Sequence, residues 1–197
     1  MGSAPSFTHA VEINPKLLRY ELFHENSEVR GFDCGNPDLN DFLSTEEVHE
    51  YDRLNLGRTT LVYYDNKLVA YYTVSVDGLL YTMVVEKKTA KSYIKLGDVK
   101  TDRLPAIKIG RLAVDSKYQN IGIGRYLFRH IIGYAIELSK QTAVRLIIVE
   151  SKPSSIDFYL KCAFQHTVLT KSERSRRNRT LFFDLQAAIE VDSLSTT

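Results

Sequence analysis

Tryptophan is absent from the 197 residues, and cysteine and methionine occur twice each. The cysteines, Cys34 and Cys162, lie far apart, and neither sits in a CxxC or Cys/His spacing that would hold zinc. No metal site is therefore expected, and a reduced, cytoplasmic protein fits the cysteine usage. No apolar run approaches the ~18 residues of a membrane span. Met1 to Ser6 lacks both a basic and an apolar segment, so it does not read as a signal peptide. Residues 1–10 are expected to be a flexible N-terminus or a cloning remnant, and the small, polar residues 191–197 to fray. Internal repeats are lacking too. Excess charge is also missing: the formal net charge is +2, which argues against bulk nucleic-acid binding.

What remains is an ordinary globular composition, 44% hydrophobic and 25% charged, of a length that suits one domain over residues 11–190. Leu17–His24 alternates and reads as a strand. Asn36 with Pro37 and Asp38 opens a helix that carries Leu39, Phe42 and Leu43 on one face and continues to about Leu54. Thr59–Tyr64 and Leu68–Val76 form a hairpin around Asp65-Asn66-Lys67, with Asp77-Gly78 closing its second strand. A strand extension at Leu80–Val85 and a short helix at Lys87–Tyr93 are expected next. Ile107–Asp115 is a strand and Arg125–Ser139 a helix with two apolar stripes. Val144–Glu150 is a strand apolar enough for burial on both faces. Pro153–Cys162 is a short helix, and His166–Thr170 and Thr180–Leu185 are the final strands. The order predicts one α/β domain, a mixed sheet with helices on both faces.

The most informative stretch is the strand Ile109–Asp115 running into Gln119-x-x-Gly122-x-Gly124, which opens the long helix. Glycines let several backbone N–H groups converge, and the helix adds unsatisfied N–H groups and its positive dipole end. That combination suits a diphosphate. A plain strand-to-helix turn explains the same glycines. A Walker loop is excluded because no Gly-Lys-Ser/Thr follows, and a dinucleotide fingerprint because Leu127 stands where its third glycine would be.

Arg111-Leu112-Ala113-Val114-Asp115 with Gln119-x-x-Gly122-x-Gly124 resembles the acetyl-CoA motif of the GNAT acetyltransferases. Ser155-Ile156-Asp157-Phe158-Tyr159-Leu160-Lys161-Cys162-Ala163-Phe164 resembles that family's Ala-x-x-Phe-Tyr-x-x-x-Gly-Phe helix. Phe32-Asp33-Cys34-Gly35 with Leu39 and Phe42-Leu43, then Val69–Ser75, is similar to the branch that includes toxins acetylating aminoacyl-tRNA. The motifs run in order from Phe32 to Phe164. Ser155 replaces the family's alanine and Ala163 its glycine, and alanine adopts positive φ less readily.

The resemblance implies the GNAT fold with two splayed central strands. It implies an acetyl-CoA-dependent N-acetyltransferase in which a primary amine attacks the thioester directly, releasing CoA. Backbone groups of Leu112, Ala113 and Val114 would line the cofactor's arm. Those of Gln119, Asn120, Ile121, Gly122, Ile123, Gly124 and Arg125 would hold the diphosphate, with Ser155 nearby. A backbone N–H near Leu112 would polarise the thioester carbonyl. Tyr159 matches the general acid; a phenol of pKa ~10 is protonated at neutral pH. For the base, Glu150, then Asp33, an ordered water and an amine arriving deprotonated all stay open. The acceptor side would draw on Tyr71, Tyr72 and the loop Ser172–Arg179, whose Arg174, Arg176, Arg177 and Arg179 are either a solvated turn or a phosphate-facing patch. Acceptors that the resemblance admits are aminoacyl-tRNA, a small amine, or a protein lysine or N-terminus. It admits an antitoxin protein and a second copy as partners. A CoA-binding or partner-binding module without turnover is the non-enzymatic alternative.

Overall fold

The computed structural model describes residues 13–86, 91–92, 94, 96–168 and 177–189. The segments 1–10 and 191–197, Arg174 and Arg176 lie outside them. Seven strands form one sheet in the order β1-β2-β3-β6-β7-β9-β8. They are β1 Arg19–Leu22, β2 Arg58–Tyr64, β3 Lys67–Leu80, β6 Arg103–Val114, β7 Leu146–Ser151, β8 Gln165–His166 and β9 Arg179–Asp184. The β6–β7 pair is parallel and the others antiparallel. A separate pair joins β4 Val85–Glu86 to β5 Lys91–Ser92. Helices α1 Pro37–Ser44 and α2 Glu47–Arg53 cover one face; α3 Ile123–Ser139 and α4 Ile156–Lys161 cover the other.

Alternation along the strands divides the core between these faces. Val62 and Tyr72 turn toward Ile123, Leu127, Ile131 and Ala135 of α3. Their neighbours Leu61, Tyr63 and Tyr71 turn toward Phe42, Leu43 and Val48 of α1 and α2.

Several boundaries differ from the sequence expectation. The single helix from Asn36 to Leu54 is two helices. Thr45 between them is extended, and its hydroxyl accepts the Glu47 amide at 3.3 Å, a local bond that competes with helix continuation. Asp77-Gly78 does not end β3. The strand runs on to Leu80 because β6 begins early enough, at Arg103, to pair with it. At Lys91–Ser92 the chain is strand rather than helix, paired with Val85–Glu86; residues 87–90 lie outside the description. The proposed strand His166–Thr170 is β8 at Gln165–His166, with 169–170 outside the described residues.

Candidate active site

The centre of the molecule is a fork. β6 and β7 pair from Ala106–Leu146 to Ile109–Val149 and no further, although β6 continues to Val114. Just there β6 carries a bulge: Thr73 pairs with Arg111 and Val74 with Ile109, which leaves Gly110 as the extra residue. An extra residue reverses which side chains face which side. Ile107 and Ile109 point toward α3 before the bulge, and Leu112 and Val114 pack toward it after. Ala113 turns instead to the α1–α2 side. A glycine inside a strand pattern is a bulge signal, and it was present in the sequence.

On the α3 side of the fork lies a cleft of about 690 Å³. Leu112 and Val114 form one wall, Gly122, Gly124 and Arg125 another, and Ser155, Phe158 and Tyr159 a third. Gly122 is the N-cap of α3 in a left-handed conformation, φ 94°, and Asn120 before it is also left-handed, φ 62°. The amides of Ile123 and Gly124 start the helix and donate to no backbone carbonyl among the described residues, whereas the Arg125 amide is taken up by Gly122 O at 3.0 Å. The Gln119 side chain is occupied with structure: its amide donates to Cys34 O and Val114 O, both at 2.9 Å. Gly124 has a second reason to be glycine. A Cβ there would meet Cε2 of Phe158 at 2.9 Å, so the Phe158 ring rests on the loop.

Tyr159 reaches this cleft from α4. Its ring is 7% exposed, yet its hydroxyl has no hydrogen-bond partner among the described residues and is not sealed from solvent. Burial pushes its pKa above the usual phenol value, with the Cys162 thiol adding to the rise. The helix ends in a Schellman turn: Phe164 N–H donates to Tyr159 O at 3.1 Å and Ala163 N–H to Leu160 O at 3.0 Å. Ala163 sits at φ 64°, adopting the left-handed geometry despite its Cβ.

A second cleft of about 650 Å³ opens on the α1–α2 side of the same fork, bordered by Lys108, Gly110 and Arg111 of β6. Arg111 lies 3.5 Å over the Phe42 ring centroid, and its guanidinium pairs with Glu47 at 2.7 Å. Lys108 pairs with Glu150 at 2.8 Å across the fork, and Lys152 with Asp38 at 3.0 Å. Asn178 also lines this cleft with the exposed Arg177 next to it in the chain, whereas the half-buried Arg179 falls on the β9 face that carries Leu181 and Phe183 toward α3.

The remaining candidates sit elsewhere. Tyr71 is fully buried and donates to Leu39 O at 2.7 Å, holding α1 to the sheet. Tyr72 lies in the α3-side core with its hydroxyl 2.9 Å from His130 Nδ1. Neither lines either of these two clefts. Asp33 latches the loop before α1 to the end of β6. Its carboxylate accepts the Gly35 amide and the Asn40 side chain, which lower its pKa, and its carbonyl accepts Ser116 N–H at 2.8 Å. Burial raises both cysteine thiols, so neither is primed as a nucleophile. Among the described residues no group of His, Cys, Asp or Glu could hold a metal ion.

The model of the acetyltransferase (GNAT) family matches residues 20–164, well over half of the chain. The chain belongs to the GNAT acetyltransferase family. This GNAT enzyme is 25% identical over 124 residues to the tRNA-acetylating toxin of Mycobacterium tuberculosis, covering 63% of this chain and 69% of that one. Its fold matches AtaT complexed with acetyl-methionyl-tRNAfMet at a TM-score of 0.72 and 22% identity, over 88% of this chain and 98% of that one. It also matches a mutant AtaT toxin bound to the C-terminus of the antitoxin AtaR and acetyl-CoA, at 0.67 and 22%, over 91% and 99%. The α3-side cleft fits the family's cofactor: an unpaired strand edge, two free helix-start amides and a protonated phenol converge on it. Sequence reading missed the wall of the second cleft: Asp38, Glu47, Lys108, Arg111 and Lys152. Arg111 was in view only as part of the cofactor motif.

Proposed function

We propose that this GNAT enzyme acetylates the α-amine of an aminoacyl-tRNA in the cytoplasm, as the toxin of a pair whose antitoxin protein restrains it. The observation that carries the reading is Asn178 in the wall of the second cleft. It brings the adjoining, exposed Arg177 beside that wall. Arginine there grips phosphate oxygens while the amine enters beside Gly110. The tRNA-acetylating relative and the tRNA-bound and antitoxin-bound structural neighbours support it.

Acetyl-CoA supplies the thioester. Leu112 and the N–H of Val114, whose carbonyl is taken by Gln119, offer backbone groups to its arm, and the Ile123 and Gly124 amides hold its diphosphate at the positive end of α3. The backbone N–H of Leu112, in the wall of the α3-side cleft, is placed to orient the acetyl carbonyl. Tyr159 gives its proton to the departing thiolate. The amine loses a proton in turn. An α-amine of pKa ~8 is partly neutral at pH 7, and Glu150 in the acceptor cleft is the carboxylate placed to take the proton from the rest. The test incubates the enzyme with labelled acetyl-CoA and a charged tRNA pool. Label is expected on the aminoacyl group and not on deacylated tRNA. Label on free amines or peptides with none on charged tRNA overturns the reading in favour of a small-amine or protein acceptor.

A further inference from the structure

We infer that the acceptor cleft selects aminoacyl groups with polar or cationic side chains and turns away apolar and anionic ones, an inference that rests on the aminoacyl-tRNA reading. Among the described residues every cation on the cleft wall is already paired: Arg111 with Glu47, Lys108 with Glu150 and Lys152 with Asp38, at 2.7, 2.8 and 3.0 Å. A fourth carboxylate, Asp41, lines the same cleft with no side-chain partner among the described residues. The wall therefore carries one more negative than positive charge.

An anionic side chain entering here finds no unpaired cation among the described residues of the wall and meets Asp41. A large apolar side chain covers three ion pairs and strips water from them without replacing its hydrogen bonds, which is costly for charged groups. Apolar surface to receive it is scarce: Leu39 and Tyr51 contribute, while Ile109 is 1% exposed. A cationic side chain meets Asp41 and the outer oxygen of Asp38, whose side chain is 80% exposed. A hydroxyl or amide meets the same carboxylates and the Ser75 hydroxyl.

The experiment measures single-turnover acetyl transfer to purified lysyl-, arginyl-, seryl-, leucyl-, phenylalanyl- and aspartyl-tRNA at equal concentration. Lysyl, arginyl and seryl substrates are expected to react roughly tenfold or more faster than the others, the scale of discrimination set by a mismatched pocket. The double variant Asp38→Leu with Lys152→Met replaces one ion pair by apolar surface, and it is expected to raise the leucyl-to-lysyl rate ratio. Wild-type enzyme that takes leucyl or phenylalanyl as fast as lysyl overturns the inference and leaves the aminoacyl reading standing. No transfer to any charged tRNA, with small amines still acetylated, removes that reading and the inference with it.

Discussion

The carbonyl of Tyr159 accepts the amide of Phe164 at 3.1 Å, and their rings meet edge to face with centroids 5.2 Å apart. The contact closes the Schellman turn and fixes α4 at the residue that carries the phenol. Ala163, between them, holds φ 64°. Left-handed geometry costs an L-residue about 1–2 kcal/mol, and a glycine there would lose about 0.4–1 kcal/mol through its freer unfolded chain. Ala163→Gly is therefore expected to stabilise the fold by up to about 1 kcal/mol, a rise of a few degrees in Tm. Thermal melting checks this; a lower Tm would mean that the turn is not strained.

Tyr159→Phe keeps the ring contacts with Phe158 and Phe164 and deletes a hydroxyl that has no hydrogen-bond partner among the described residues. Stability and acetyl-CoA affinity are expected to stay near wild type. The single-turnover rate is expected to fall on the order of 10²–10⁴, the worth of a positioned general acid. A variant within about threefold of wild type would hand the proton to water and return Tyr159 to packing.

Gly122→Asp forces a side chain onto φ 94° and puts a negative charge at the helix start. Gly124→Ala drives a methyl into the Phe158 ring. Isothermal titration should show Gly122→Asp abolishing acetyl-CoA binding. Gly124→Ala should weaken it and slow transfer as well, because the displaced ring adjoins Tyr159. Unchanged affinity in a folded Gly122→Asp protein would move the diphosphate elsewhere.

Buried tyrosines set an alkaline limit. Burial pushes Tyr72 up to about 12 and raises Tyr71 and Tyr159. A folded pKa above the unfolded ~10 leaves the native state holding more protons above that pH. Stability is thus complete below about pH 10 and falls as pH rises toward the folded values. Urea melts between pH 8 and pH 11 are expected to show the fall beginning near the unfolded value, and Tyr72→Phe to make it shallower. A flat profile to pH 11 contradicts it.

Local signals made the cofactor side legible. The glycines before α3, the alternation of β2 and β3 and the Phe158-Tyr159 pair each announce themselves within a few residues. The acceptor wall could not be read in that way, because its ion pairs join Arg111 to Glu47 and Lys152 to Asp38, 64 and 114 residues apart. Tyr71 and Tyr72 show a second limit. Alternation says that they face opposite sides, but not that both sides are covered there. The change of facing at Gly110 adds a third, since it decides which residues of Arg111–Val114 face the α3-side cleft.

The arginine-rich segment tests the acceptor most directly. Arg177 and Arg179 flank Asn178 in the chain, Asn178 lining the second cleft, and Arg174 and Arg176 precede them in sequence. Each phosphate neutralised by a cation releases counterions, so log affinity falls with log salt at about 0.7–0.9 per contact. Arg174, Arg176, Arg177 and Arg179 changed together to Ser should weaken tRNA retention at low salt and flatten that slope by up to about four such contacts. Acetyl-CoA affinity should not change, because neither Arg177 nor Arg179 lines the α3-side cleft. Filter binding of uncharged tRNA over a salt series gives the slope, and titration calorimetry gives the cofactor control. Arginines that merely solvate a turn would leave the slope as in wild type. Wild-type enzyme that retains no tRNA at low salt would take the phosphate grip away altogether and point to a small amine in the cleft.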